Sequence, residues 1–148
     1  MIQNLAFATA MVCATVIIHF CGLFALMWVL RHRAHRFRTH ESIIGQCALI
    51  VLVVLGIFAI HTVEIWLYAL VFQGMGAVPD FETALYFSTV NFSTLGYGDV
   101  LLEKQWRVFG AIEAANGLIM FGWSTAFLIS VIGRMRMLEH DWLEDKSP

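Results

Sequence analysis

Asp80-Phe81-Glu82-Thr83-Ala84-Leu85-Tyr86-Phe87-Ser88-Thr89-Val90-Asn91-Phe92-Ser93, followed directly by Thr94-Leu95-Gly96-Tyr97-Gly98-Asp99, is the stretch on which the architecture turns. Asp80, after Pro79, reads as an N-cap. From Phe81 to Ser93 the only charge is Glu82, and the run makes about three and a half turns, too few to cross a hydrocarbon core of about 30 Å. A re-entrant helix that ends against residues 94–99 fits that length.

The sequence on either side is apolar on a larger scale. Residues 1–30, 42–63 and 114–133 contain no Lys, Arg, Asp or Glu, and each meets the roughly 20-residue requirement for a spanning helix. With 59% hydrophobic and 14% charged residues among 148 and a mean hydropathy of +0.75, this is a membrane protein. The fold class expected is all-α, with three transmembrane helices and one re-entrant helix. A net charge of -2 gives no reason to expect nucleic acid or a polyanionic substrate. Cys13, Cys21 and Cys47 lie inside apolar stretches without ligand spacing and read as packing residues. The first apolar stretch lacks a basic leader and reads as a retained helix rather than a signal peptide.

Arg31, Arg33, Arg36 and Arg38 fall between the first two apolar stretches, and short Arg-rich loops stay in the cytoplasm. That places the N-terminus and residues 73–106 outside, and Arg134, Arg136 and the C-terminus inside. The chain is then a multi-pass protein of the cell membrane. The arginines are topological anchors, with anionic lipid head groups as possible partners; they are not a voltage sensor, which sets its arginines within a spanning helix. Trp28, Trp66, Tyr68 and Trp106 suit the interfacial belt, whereas Trp123 falls near mid-membrane and is expected to pack on a neighbouring helix or lipid tails.

The chemistry lies in residues 94–99. Replacing the water shell of a cation takes inward-facing backbone carbonyls on an extended chain. Successive carbonyls point the same way only where some residues take positive φ, which Gly96 and Gly98 tolerate. Thr94 adds a hydroxyl, and the C-terminal end of the preceding helix carries partial negative charge. Thr94, Gly96, Tyr97, Gly98 and Asp99, with Leu95 where Val or Ile is commoner, resemble the filter of potassium channels. Gly117-Leu118-Ile119-Met120-Phe121-Gly122-Trp123-Ser124-Thr125-Ala126 resembles the inner helix of simple bacterial members.

The resemblance implies a homotetramer that conducts potassium passively. It implies ion sites at the carbonyls of Thr94, Leu95, Gly96 and Tyr97, the Thr94 hydroxyl, and support from Gly98, Asp99 and Tyr86. It also implies a hinge at Gly117, for which close packing is the alternative reading; Gly122 reads as packing. Leu118, Phe121, Thr125 and Ile129 share one helical face and are expected to line the path, with Trp123 and Leu128 pointing elsewhere. The chain then divides into residues 1–41 (first helix and basic loop), 42–133 (outer helix 42–72, pore helix 80–93, filter 94–99, inner helix 107–133) and a tail, 134–148. Departures are the additional first helix, Val90 where the simplest members carry Glu behind the filter, and Tyr86 and Phe87 where voltage-gated members carry two Trp. No enzyme activity and no cofactor beyond permeant potassium ions is expected.

His61, Glu64 and Glu113 are ionisable groups at membrane depth. They read as a hydrogen-bonded brace behind the pore helix, or as a proton sensor. Haem ligation by His19 and His61 is set aside, because counting from the inner helix ends puts them roughly 12 Å apart in depth. A non-conducting or transporter subunit on the same fold is the remaining alternative.

Overall fold

The computed structural model describes residues 2–36 and 43–134. Four helices follow in order: α1 (Ile2–Arg36), α2 (Ile43–Gly74), α3 (Phe81–Phe92) and α4 (Arg107–Arg134). Three of them, α1, α2 and α4, are long and apolar enough to cross a membrane, and α3 is the short one, with 12 residues. This is an all-α multi-pass membrane protein.

The Arg-rich segment differs from its reading as a loop. α1 runs on through Arg36, so the backbone of Arg31, Arg33 and Arg36 belongs to the helix's last turns. Arg38 and Arg136, like the tail beyond Arg134, lie outside the described residues. α1 packs on α2 through two glycines that let the helices approach closely: a Cβ at Gly22 would lie 2.7 Å from Ile60, and one at Gly56 2.7 Å from Leu26.

The core has two parts. One gathers Tyr68, Ala69 and Phe72 of α2, Ala84 and Phe92 of α3, Phe109 and Met120 of α4, and Ala8 and Met11 of α1. The other joins Leu26 and Leu30 of α1 to Val53 of α2, with Leu128 of α4 packed against them. In α1 the buried residues Ala8, Met11, Thr15, His19, Leu23, Leu26 and Leu30 recur at three and four residue steps, so one stripe meets the bundle. Two polar residues sit within that apolar stripe.

Candidate ion-conducting segment and its supports

α3 starts where the sequence provides a cap. Asp80 Oδ1 accepts from the Thr83 backbone N–H at 2.9 Å and Oδ2 from its hydroxyl at 2.8 Å. At the other end the chain turns on the last carbonyls: Thr94 N–H donates to Asn91 O (2.9 Å), and the Leu95 and Gly96 N–H groups donate to Val90 O (3.0 and 3.2 Å). Residues 94–96 are thereby tied to the C-terminal turn of α3, its negative end.

Beyond that tie the backbone alternates in hand. Thr94, Gly96 and Gly98 have φ of 62°, 57° and 76°, and neither Leu95 nor Tyr97 is positive. Gly96 and Gly98 take such angles freely; Thr94 does so at a cost of about 1–2 kcal/mol. Alternation in the sign of φ turns successive peptide units so that like groups can share a side: N–H groups around an anion in backbone nests, carbonyl oxygens in a cation filter. The positive φ of Thr94 has no signal in its residue type; only its place one step before Leu95-Gly96 in an alternating series points to it. Leu95, Gly96, Tyr97, Gly98 and Asp99 are all exposed in the single chain.

Tyr86 on α3 donates its hydroxyl to Asp99 Oδ2 at 2.6 Å, which joins the helix to the far end of the segment. This bond holds the Asp99 carboxyl below its usual range and pushes the Tyr86 phenol up. Phe87 instead packs edge-on against Phe72 of α2, with ring centroids 5.1 Å apart.

The ionisable groups divide into two clusters. Glu113 of α4 braces α3: Ser88 Oγ donates to Oε1 and Asn91 Nδ2 to Oε2, both at 2.6 Å, and Asn91 also reaches Gly110 O at 2.7 Å. Glu64 turns to α1 and its own helix, accepting from His19 Nδ1 and His61 Nδ1 at 2.9 Å each. The depth estimate for the histidines is therefore overturned, since their ring centroids are 5.3 Å apart. It failed because α1 continues through Arg36 while α2 begins at Ile43, which leaves the two residues nearly equally far from those ends. Haem ligation fails on a different ground: every ring nitrogen of the pair is already bonded within the protein. Between the clusters Asn116 donates to Thr15 Oγ1 (2.8 Å) and Tyr68 Oη (3.3 Å).

On α4, Gly117 is pressed against the last turn of α3, where a Cβ would lie 2.0 Å from Phe92 O. This close approach is the packing alternative for that residue. Gly122 has open space around a Cβ, so the packing reading of Gly122 finds no contact within the chain. Leu118 and Ile129 are 62% and 65% exposed, but Phe121 is only 36% exposed and stacks 4.4 Å from His61. Thr125 shares a groove with His61 and Phe121. Trp123 packs on His19 and Phe20 of α1, 5.2 and 6.5 Å away.

A short helix and a segment of alternating φ, set between two helices able to cross a membrane and braced by the second of them, define a membrane protein with three spans and a fourth, shorter helix. A family described as ion channel matches residues 48–134, and the chain belongs to that family, whose members are channels rather than enzymes. No curated protein and no solved structure matches it.

Proposed function

We propose that the chain is one subunit of a homotetrameric, potassium-selective channel that conducts passively through backbone carbonyls of Thr94, Leu95, Gly96 and Tyr97. The alternating φ at Thr94, Gly96 and Gly98 carries this reading. It is the backbone that a row of same-facing carbonyls requires, and carbonyl rings replace the hydration shell of potassium. One chain supplies one such row, so a ring needs several copies closed around an axis. Gly98, Asp99 and Tyr86 steady the row, Gly117 sets the contact between inner and pore helices, and Leu118, Phe121, Thr125 and Ile129 line the path below. The N-terminus and the segment lie outside, the C-terminus in the cytoplasm, and Arg31, Arg33, Arg36 and Arg38 face anionic lipid.

Purified protein in liposomes tests the reading by flux. Potassium and rubidium should pass at least tenfold faster than sodium, and cross-linking should stop at four chains. Gly96→Ala should remove that selectivity, because alanine resists the positive φ. Equal sodium and potassium flux in the wild type would refute the potassium filter while leaving the channel family intact.

A further inference from the structure

Where α1, α2 and α4 meet, four buried side chains close a ring. Glu64 Oε1 and Oε2 lie 2.9 Å from Nδ1 of His19 and of His61. Ser124 Oγ lies 3.3 and 3.0 Å from the Nε2 atoms of the same two residues. All four are at most 5% exposed, and each of the nitrogens and oxygens that face one another already has its partner within the ring.

The ring has four contacts, and each needs one hydrogen. An ionised Glu64 supplies none, so both Nδ1 atoms carry one. The Ser124 hydroxyl gives its hydrogen to one Nε2, and the other Nε2 must bring its own and donate to Ser124 Oγ. Three hydrogens on two imidazoles make one of them an imidazolium, and with Glu64 ionised the ring is neutral. That is the form a bundle interior accommodates, since a buried charge needs a partner. Without the third hydrogen, one contact sets two lone pairs against each other and Glu64 is left uncompensated.

Among the described residues no other group takes over the compensation. On α2 the remaining titratable neighbour is Tyr68, one turn from Glu64, and on α4 it is Glu113, whose oxygens are held by Ser88 and Asn91. α3 offers only the Phe92 ring, 6.0 Å from His61; its titratable residues Glu82 and Tyr86 are exposed. α1 adds no further charge between Asn4 and Leu30. Phe121 and Trp123 wall the ring with carbon.

We propose that the His19–Glu64–His61–Ser124 ring is a binding site for a single proton, and that the bound proton fastens α1 to α2 and α4. Binding favours the docked helices, so docking weakens as rising pH strips the proton, by about tenfold in its equilibrium constant per pH unit over that range.

Glu64→Gln separates this role from packing. The amide donates to one Nδ1 and accepts from the other, so two neutral imidazoles and Ser124 satisfy all four contacts and no extra proton is needed. The full chain in lipid nanodiscs, labelled with 15N-histidine and assigned through His19→Gln and His61→Gln, reads the count directly. The wild type at neutral pH is expected to show three protonated nitrogens out of the pair's four, and Glu64→Gln two. Thermal stability should fall on the alkaline side in the wild type only. Only the matching pH dependence of flux rests on the channel reading; a protein that conducts nothing can still show the proton by resonance and melting. Two neutral imidazoles beside an ionised Glu64 in the wild type, the carboxyl read from its 13C shift, identical alkaline stability profiles for both proteins, or one tightly held metal ion per chain that Glu64→Gln removes would each overturn the proposal. Should Glu64→Gln not fold, the wild-type proton count alone decides.

Discussion

At the scale of single residues, the far end of the segment that follows α3 hangs on one short bond. Tyr86 Oη donates to Asp99 Oδ2 at 2.6 Å, and both groups are open to solvent, so the bond matters through geometry more than through energy. Tyr86→Phe keeps the ring and loses the donor; it should speed inactivation or shorten open times in single-channel records while leaving ion selectivity nearly unchanged. The pH dependence has a definite sign. Asp99 is held below the usual carboxylate range, so its contribution is present at neutral pH and is lost as the pH falls through that lowered value. Acid on the side facing Asp99 should therefore mimic Tyr86→Phe, and the variant should no longer respond to it; an unchanged acid response in the variant would discard the bond. Gly117 is constrained by backbone rather than by a flexible side chain, because its Cβ would meet Phe92 O at 2.0 Å. Gly117→Ala should cost about 1–3 kcal/mol or more through forced separation of α3 and α4. Gly122→Ala, whose Cβ meets no atom within 4 Å among the described residues beyond its own helix's backbone and chain neighbours, should leave the melting temperature of the dissociated chain unchanged, and any effect that appears only in the assembled protein would place Gly122 at a contact between copies.

At the scale of elements, α3 is a 12-residue helix, too short to be stable alone, and α4 supplies polar partners for it. The carboxylate of Glu113 takes Ser88 and Asn91, which lie one turn apart on the same face of α3. Glu113→Ala strands the buried Ser88 donor, worth about 1–3 kcal/mol, leaves the half-buried Asn91 amide with Gly110 O alone, and should loosen α3 before it unfolds α1 or α2. Hydrogen exchange resolved by peptide would show this as early exchange confined to residues 81–93. Uniform loss of protection across all four helices would instead mean that the bundle depends on Glu113 as a whole. Helix identities were legible from apolar run length and from Asp80, because both act within one segment. The pairings were not. Glu113 lies 25 residues from Ser88, and His19 lies 45 from Glu64, so nothing local joins them. A signal was nevertheless present: Thr15 and His19 on α1, His61, Glu64 and Tyr68 on α2, and Glu113, Asn116 and Ser124 on α4 each fall on their helix's buried stripe at steps of three, four or eight. Polar residues in such stripes must find partners on facing helices.

At the scale of the whole molecule, a single chain leaves exposed the segment proposed to bind ions, with Leu95 at 60% and Tyr97 at 68%, and only an assembly of copies would turn such a row of carbonyls into a ring. The positive φ of Gly96 and Gly98 was readable because it is a property of the residue type itself, whereas the surface proposed to meet the conduction path depends on how α4 rotates against α1 and α2. The contacts of α4 fix that rotation within the chain. Leu128 belongs with Leu26, Leu30 and Val53 and so points into the chain's own bundle, whereas Trp123 lies along its edge, against His19 of α1 and 38% exposed. Ile129 at 65% exposure and Leu118 at 62% point away from it. Phe121 and Thr125 sit between these directions, beside His61. If the free face of α4 meets the axis, single cysteines at Leu118 and Ile129 should react with a water-soluble thiol reagent applied from the cytoplasmic side to open channels, and current should fall by more than half. Cysteines at Trp123 and Leu128 should stay silent, while Thr125→Cys should react more slowly than Ile129→Cys because its groove is shared with α2. Block through Trp123→Cys or Leu128→Cys, with Leu118→Cys and Ile129→Cys unaffected, would mean that the open face of the single chain meets lipid or another copy, and that α4 turns a different side to the ions.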